Sequence, residues 1–457
     1  MGKHLRHLAV LVTLVSSTAL SLGCDPAPEA AAADAAAAPD ARASGSDGGA
    51  AADAHVVVAD AGHCALTLAT DTHGADRSAC TFDIGARAEA TLGVTSAQAA
   101  QIPIDHIVIV MQENRSFDHY FATWDGDLSD PLPSTYRNAD DAGHSVAPHH
   151  LTSHCLEADP GHQWTSMHDG WANGMMNGWV ANADTATSDG HFAIGYYDAS
   201  DHPFYDWLAH TFAMSDHHFG DSLGGTWSNR AFLYTGSSHG VHSTSEMTIP
   251  NARTIYDALD DAHVSWGVYS SSGVRQDVLG WTAAHAGVHT FNTFLAQLAD
   301  GSLPAVSYVD PAGTEDEHPV HDIGGGEQWV RRIYEGAIAS PLWGSIAIFV
   351  TYDESGGLFD HVAPPTACLP DPTLTEFDRY GVRVPLYVIS PYARPALVSH
   401  RTSSHSSILR FVELRFGLAA LSARDANSSA MLEYFDFCQP SFPTGPAAPA
   451  AFGLSGC

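Results

Sequence analysis

Apolar positions along this chain fall in short solid runs. Ile107-Val108-Ile109-Val110-Met111 is mostly β-branched and too short for a helix, which predicts a buried strand of a parallel sheet. Ser345–Tyr352 has the same character. Val264–Tyr269, Pro304–Val309, Val384–Pro391 and the short Ala213–Asp216 predict further strands. Between them the pattern turns helical. Helices are expected over Pro203–Thr211, in an apolar stretch ending at Tyr234, over Glu327–Ala339 and over Ser406–Phe416. In the third, Trp329, Val330, Ile333, Ala337 and Ile338 are core candidates; in the last, Ile408, Phe411, Val412 and Leu414. The Glu327–Ala339 helix feeds the Ser345–Tyr352 strand as in a βαβ unit. The expected fold is therefore α/β, one doubly wound, mostly parallel sheet with helices on both faces.

The N-terminal part follows no such pattern. Residues 1–23 read as a signal peptide, with Lys3, His4, Arg6 and His7 ahead of an apolar stretch from Leu8 to Leu22. The stretch is short for a transmembrane helix. It ends at Gly23-Cys24, which resembles a bacterial lipoprotein box with Cys24 as the lipidated residue; Ser21 stands where leucine is commoner. Ordinary cleavage without lipidation is the alternative. Either way the chain is expected to be exported to the bacterial cell envelope, anchored or secreted. Residues 24–62 are almost all Ala, Asp, Gly, Pro and Ser and read as a disordered tether. Residues 63–103 form a lead-in, and 104–457 one domain.

Composition narrows the function. The 457 residues are 45% hydrophobic, enough for one large core. Formal net charge is -33 with a single lysine, Lys3, which excludes long-range attraction to nucleic acid or an anionic membrane. An anionic substrate would need a local cation. Of seven cysteines, six remain beside Cys24, pointing to disulfides in an exported protein. Nearness in sequence pairs Cys64 with Cys80 and Cys438 with Cys457, leaving Cys155 with Cys368. Their scattered spacing does not resemble a zinc site.

The chemistry lies where the apolar runs break. Ile107–Met111 gives way to Gln112-Glu113-Asn114-Arg115-Ser116-Phe117-Asp118-His119. Ligands of open α/β sheets bind at the carboxyl ends of strands, so Glu113 and Asn114 stand where a ligand belongs. Oxygen donors of this kind suit a hard divalent cation. The Ser345–Tyr352 run ends likewise in Asp353-Glu354-Ser355-Gly356-Gly357. Adjacent carboxylates repel, and a cation between them keeps both ionised. A third segment, Gly224-Gly225-Thr226-Trp227-Ser228-Asn229-Arg230, places a hydroxyl at a helix start, where exposed amides favour an anion. Thr226 and Ser228 both qualify by chemistry. Ser228 also suits an N-cap.

The stretches QENRSFDHYF and TYDESGGLFDHVAPP resemble the paired signatures of the bacterial and plant phosphoesterase family, which holds non-specific phospholipases C and a group of acid phosphatases. The resemblance spans about Ile104 to Asn427. It implies an alkaline-phosphatase-like fold and one divalent metal ion (Ca, Mg, Mn or Zn) held by Glu113, Asn114, Asp353, Glu354 and Thr226. It selects Thr226 over Ser228 as nucleophile, three residues before an Asn-Arg pair. His162 of Gly161-His162-Gln163-Trp164 and His318 of Glu317-His318-Pro319 match its phosphate-site histidines. Asn229, Arg230, Asp360 and His361, in the same motifs, are candidates for substrate contact. His405, at a helix start, reads as structural.

The implied reaction is metal-assisted hydrolysis of a phosphate ester through a phospho-threonine. Phospholipase C-type diester cleavage leads, and an acid phosphatase-type monoesterase is the alternative. A diesterase acting on phospholipid needs an apolar entry, for which Trp124, Trp164, Trp171, Trp179 and Trp227 are available. One departure stands out: Ser355 replaces the His of the usual Asp-Glu-His-Gly-Gly. Serine cannot shuttle a proton near neutral pH, and a non-catalytic surface lipoprotein binding a phosphorylated ligand is a third reading.

Overall fold

Each solid apolar run becomes a strand of one sheet. The computed structural model of the protein describes residues 71–457 apart from 245, 274, 451, 452 and 455. The expected signal peptide, Cys24, the tether and Cys64 lie outside the described residues. Eight strands build the main sheet: β1 His106–Gln112, β2 Ala213–Ser215, β3 Trp266–Ser270, β4 Val288–Thr290, β5 Val306–Asp310, β6 Ile346–Tyr352, β7 Leu386–Ile389 and β8 Val398–Ser399. Their order is β8–β2–β7–β6–β1–β5–β3–β4. β7 runs antiparallel to β6 and β2; every other pairing is parallel. The helices that matter here are α1 Phe117–Phe121, α2 Trp164–Trp171, α3 Pro203–Thr211, α4 Thr226–Thr235, α5 Ile255–Asp261, α6 Phe291–Asp300, α7 Ile323–Ala339 and α8 His405–Phe416.

Solid runs rather than alternating ones are explained by cover on both faces. Along β1, Ile107, Ile109 and Met111 pack with Tyr256 of α5, Leu233 of α4 and Phe411 of α8. Val108 and Val110 belong to the opposite layer with Leu208 of α3, Phe294 of α6 and Trp329 of α7. The doubly wound α/β expectation is met.

Two expectations are corrected. α7 starts at Ile323, capped by the Asp322 carboxylate, and so runs through three glycines ahead of the expected start at Glu327. Glycine disfavours an isolated helix, but here packing requires it. A Cβ on Gly326 would lie 2.1 Å from Glu317 Oε1, and one on Gly325 2.1 Å from the Thr314 carbonyl oxygen. The disulfides also differ. Cys80 pairs with Cys368 and Cys155 with Cys457, across 288 and 302 residues, and Cys438 is itself disulfide-bonded. Closeness in sequence misled because these bridges tie distant segments together, where a cross-link restricts the unfolded chain most.

Candidate active site

Parallel pairing of β1 and β6 sets Gln112 opposite Tyr352, so the residues beyond them emerge side by side at one sheet edge. Glu113 and Asn114 leave β1; Asp353 and Glu354 leave β6. All four are buried. Asn114 adopts a left-handed backbone, φ 64°, which asparagine tolerates better than most residues. Its N–H donates to Asp353 Oδ1 at 3.2 Å, and the Glu354 N–H donates to the same oxygen at 2.8 Å.

The helix carrying the expected nucleophile enters from the side. Arg230 of α4 is fully buried, and its guanidinium donates to Asp353 Oδ2 at 3.2 Å and Glu113 Oε1 at 3.2 Å. It also reaches Asp310 Oδ1, at the end of β5, at 2.7 Å. Thr226 lies four residues earlier on the same helix face, one turn nearer the helix N-terminus. It is the first helical residue, and Gly225, the N-cap, supplies no side chain. Ser228 is thus no cap. It is fully buried inside α4, with its hydroxyl 2.6 Å from that of Ser222. Asn229 holds the turn ahead of Thr226: its amide donates to the Gly224 carbonyl at 2.9 Å and its oxygen accepts from the Ser222 N–H at 3.0 Å.

Gly356 and Gly357 bring the remaining parts together. Both have positive φ, 67° and 69°. A Cβ on Gly356 would sit 2.5 Å from the Asn114 carbonyl oxygen, and one on Gly357 2.5 Å from that of Gly161. The β6 end therefore packs backbone to backbone on the β1 end and on the loop that presents His162. The His162 and His318 rings lie 5.4 Å apart, centroid to centroid. His162 Nδ1 donates to the Pro160 carbonyl at 2.8 Å and lies 3.3 Å from Asp159. Burial opposes charge on His162, but the Glu354 and Asp159 carboxylates outweigh it and push the ring up to about 10. Burial lowers His318, with Asp159 opposing. The two rings thus sit in environments that pull their protonation apart, the pattern of an acid and a neutral partner. His318 is mounted on Glu317. That carboxylate is buried and accepts from the hydroxyls of Tyr120, Tyr205 and Tyr352, while the Glu317 carbonyl accepts from Arg115 Nε at 2.8 Å.

Three buried polar atoms are left over where β1 and β6 end. Asn114 Oδ1, Asn114 Nδ2 and Glu354 Oε1 are buried with no hydrogen-bond partner among the described residues. An orphaned buried polar atom is costly, and a bound ion would satisfy the two oxygens. Burial pushes both Glu113 and Glu354 up to about 8, the first pulled back by Arg230 and Arg275, the second by His162. A divalent cation beside them would restore ionisation. The donors are oxygens throughout, so Glu113, Asn114, Asp353, Glu354 and Thr226 suit a hard ion.

Other expected residues stand elsewhere in the architecture. Asp360 pairs with buried Arg383 at 3.0 Å, and Arg383 also binds Asp118 at 2.9 Å. His361 Nδ1 lies 2.6 Å from Asp118. Asn229, Arg230, Asp360 and His361 thus hold other protein groups, and this geometry lends no support to substrate contact by them. Ser355 is buried with its hydroxyl 3.8 Å from the Met167 sulfur of α2. His405 Nε2 donates to the Asp353 carbonyl oxygen at 2.8 Å, which agrees with a structural role. Trp179 is core, whereas Trp164 and Trp171 line a cavity of about 350 Å³ beside Ser222 and Leu223. Sequence reasoning missed Arg275, 3.1 Å from Glu113, as well as Asp159 and Asp310. Asp310 alone carried a signal, since it directly follows the predicted strand Pro304–Val309.

A profile of the Phosphoesterase family matches residues 104–419. Phospholipase C B of Mycobacterium tuberculosis is 31% identical over 415 residues, covering 75% of this chain and 80% of that protein. Non-specific phospholipase C4 of Arabidopsis thaliana is 29% identical, covering 73% of this chain and 72% of that one. Among solved structures, a lipoteichoic acid synthase from Listeria monocytogenes overlays with a TM-score of 0.40 at 8% identity, covering 78% of this chain and 82% of that one. A likeness that loose says nothing about chemistry.

Proposed function

This chain belongs to the Phosphoesterase family and is a hydrolase of phosphoester bonds, and from that premise we propose that it cleaves phosphodiesters in the manner of a phospholipase C, through a covalent intermediate on Thr226. The observation that carries the reading is the convergence of Glu113, Asn114, Asp353 and Glu354 where β1 and β6 end, with Arg230 of α4 bonded to Glu113 and Asp353.

A divalent cation held by Glu113, Asn114, Asp353, Glu354 and Thr226 would supply charge neutralisation for the phosphate and favour the Thr226 alkoxide. The chain's own residues do the rest. Thr226 Oγ1 gives its proton to solvent and attacks phosphorus in line, helped by the amides at the start of α4. The ester oxygen leaves with a proton from protonated His162, releasing diacylglycerol and leaving the phosphorylated headgroup on threonine. Neutral His318 takes a proton from the attacking water and passes it to Thr226 Oγ1 as the phosphorus–threonine bond breaks; the headgroup leaves as a phosphomonoester, and solvent returns the proton to His162. Glu317 orients His318, Asn229 fixes the turn under Thr226, and Arg230 keeps the ligand carboxylates ionised and in place.

The test is product release by the purified chain from phosphatidylcholine and from p-nitrophenyl phosphate, with and without chelator. Release of diacylglycerol that chelator abolishes is the expected result. Hydrolysis of the monoester alone would favour the acid phosphatase reading, and neither activity a ligand-binding protein. Export and acylation of Cys24 belong to the same proposal. Among the described residues no helix is long and apolar enough to cross a membrane. Mass spectrometry of the mature N-terminus should find a lipidated Cys24; an intact Met1 would refute the processing.

A further inference from the structure

The loop leading toward His162 and the turn ahead of α3 meet at a cluster that the reaction does not use. His150 Nε2 lies 2.7 Å from Asp201 Oδ2 and 3.6 Å from Asp198 Oδ2. His154 Nε2 lies 3.2 Å from the other Asp201 oxygen. Donor atoms of His150, Asp198 and Asp201 all fall within 4.8 Å of one another. The two histidines come from one segment and the two aspartates from another. These segments are already in register: His149-His150 pairs in parallel with Gly195-Tyr196, and the Leu151 N–H donates to the Tyr196 carbonyl at 2.9 Å.

The carboxylates are oriented before any ion arrives. Asp198 Oδ1 accepts from the Ser200 N–H at 2.8 Å and the Ser200 hydroxyl at 2.6 Å, and the Asp198 N–H donates to Asp201 Oδ2 at 2.9 Å. Outer hydrogen bonds of this kind fix the ligands of a metal site. Asp201 is buried, while His150 and Asp198 face solvent, so an ion has a path in. The ion pairs of Asp198 and Asp201 among the described residues are with these histidines and with no arginine. With neutral imidazoles the cluster therefore carries two uncompensated carboxylates on a chain already at -33.

The geometry points to a second cation site, in which His150, Asp198 and Asp201 hold a zinc-class ion and His154 holds the far oxygen of Asp201. An imidazole nitrogen with two carboxylate oxygens suits borderline metals such as zinc, unlike the set at the ends of β1 and β6. The site lies outside the reaction described above, which assigns it a structural role. The ion would clamp the loop that continues through Cys155 to His162 onto the turn that starts α3.

The test is the zinc content of the full chain after loading and gel filtration, by elemental analysis. The double variant His150→Ala/His154→Ala should hold one equivalent less than the unchanged chain and lose the zinc-dependent rise in Tm, with phosphatidylcholine hydrolysis retained below the transition. Asp353→Ala should keep this equivalent. Equal zinc in the double variant and the unchanged chain would overturn the site and leave a hydrogen-bonded His–Asp network. Should the double variant not fold, cobalt(II) added to Asp353→Ala decides: intense visible bands of a tetrahedral centre are expected, and only weak octahedral bands would overturn the proposal.

Discussion

Thr226 and Ser228 stand two residues apart on α4 and differ in what surrounds their hydroxyls. Thr226 opens the helix, where the free amides, and a cation bound as proposed, would favour its alkoxide. Ser228 is buried against Ser222. Thr226→Ala should therefore lower kcat by ~10³-fold or more, about 4 kcal/mol of barrier, with an unchanged folded spectrum. Thr226→Ser should keep substantial activity because the hydroxyl survives. Ser228→Ala should cost about 1 kcal/mol of stability, as for one lost hydrogen bond, and leave turnover in place. Glu317 makes a pH prediction. Burial raises it from an ordinary 4.5 to about 7, against the pull of three tyrosine hydroxyls. A raised carboxyl binds its proton more tightly in the folded state. Its contribution is thus complete below pH 4.5 and is lost as pH rises through about 7. Denaturant midpoints between those pH values should fall for the unchanged chain and stay flatter in Glu317→Gln; parallel curves would show that Glu317 does not titrate there. Residues of this scale were legible only inside abrupt polar breaks after apolar runs. Arg275 lies in a short 3-10 turn six residues past the Val264–Tyr269 run, and nothing local marks it as a partner of Glu113.

Elements decide how the site closes. β1 and β6 deliver their carboxylates side by side because they are neighbours in register, an arrangement that two separate apolar runs cannot reveal. Gly356 and Gly357 then let the β6 end touch both the β1 end and the His162 loop. Gly357→Ala would place a methyl 2.5 Å from the Gly161 carbonyl at a φ of 69°. We expect a stability cost of about 1–3 kcal/mol and a larger loss in kcat than in affinity for phosphate, since the His162 loop must move. Kinetics and thermal unfolding on the same preparation check this; unaltered kcat would mean that loop position is immaterial. The strands were legible because each is covered on both faces and so has no polar alternation. The start of α7 was not, because its glycines answer to Glu317 and Thr314, contacts made only in the folded chain. The same holds for Cys80–Cys368 and Cys155–Cys457, which local spacing could not choose.

At the scale of the whole molecule, a chain of net charge -33 has to take in an anionic substrate. Bulk electrostatics oppose that, and on the proposed reading a cation bound where Glu354 and Asn114 atoms lack partners would overcome the opposition locally. Removing the metal with chelator should abolish hydrolysis and a divalent ion should restore it. Asp353→Ala should lose the metal at this site together with activity, and full occupancy there by elemental analysis would contradict the ligand assignment. Fold class and the polar breaks that the fold brings together were thus readable from the sequence, while the charge network beneath them, Arg230 joined to Glu113, Asp310 and Asp353, needed the folded chain. The central claim is that phosphorus passes through Thr226. It is tested most directly by quenching steady-state hydrolysis of phosphatidylcholine in acid and mapping the modified peptide by mass spectrometry. Phosphocholine on Thr226, absent from Thr226→Ala, is the predicted result. Phosphocholine on Ser228, or on no hydroxyl during steady turnover, would contradict it.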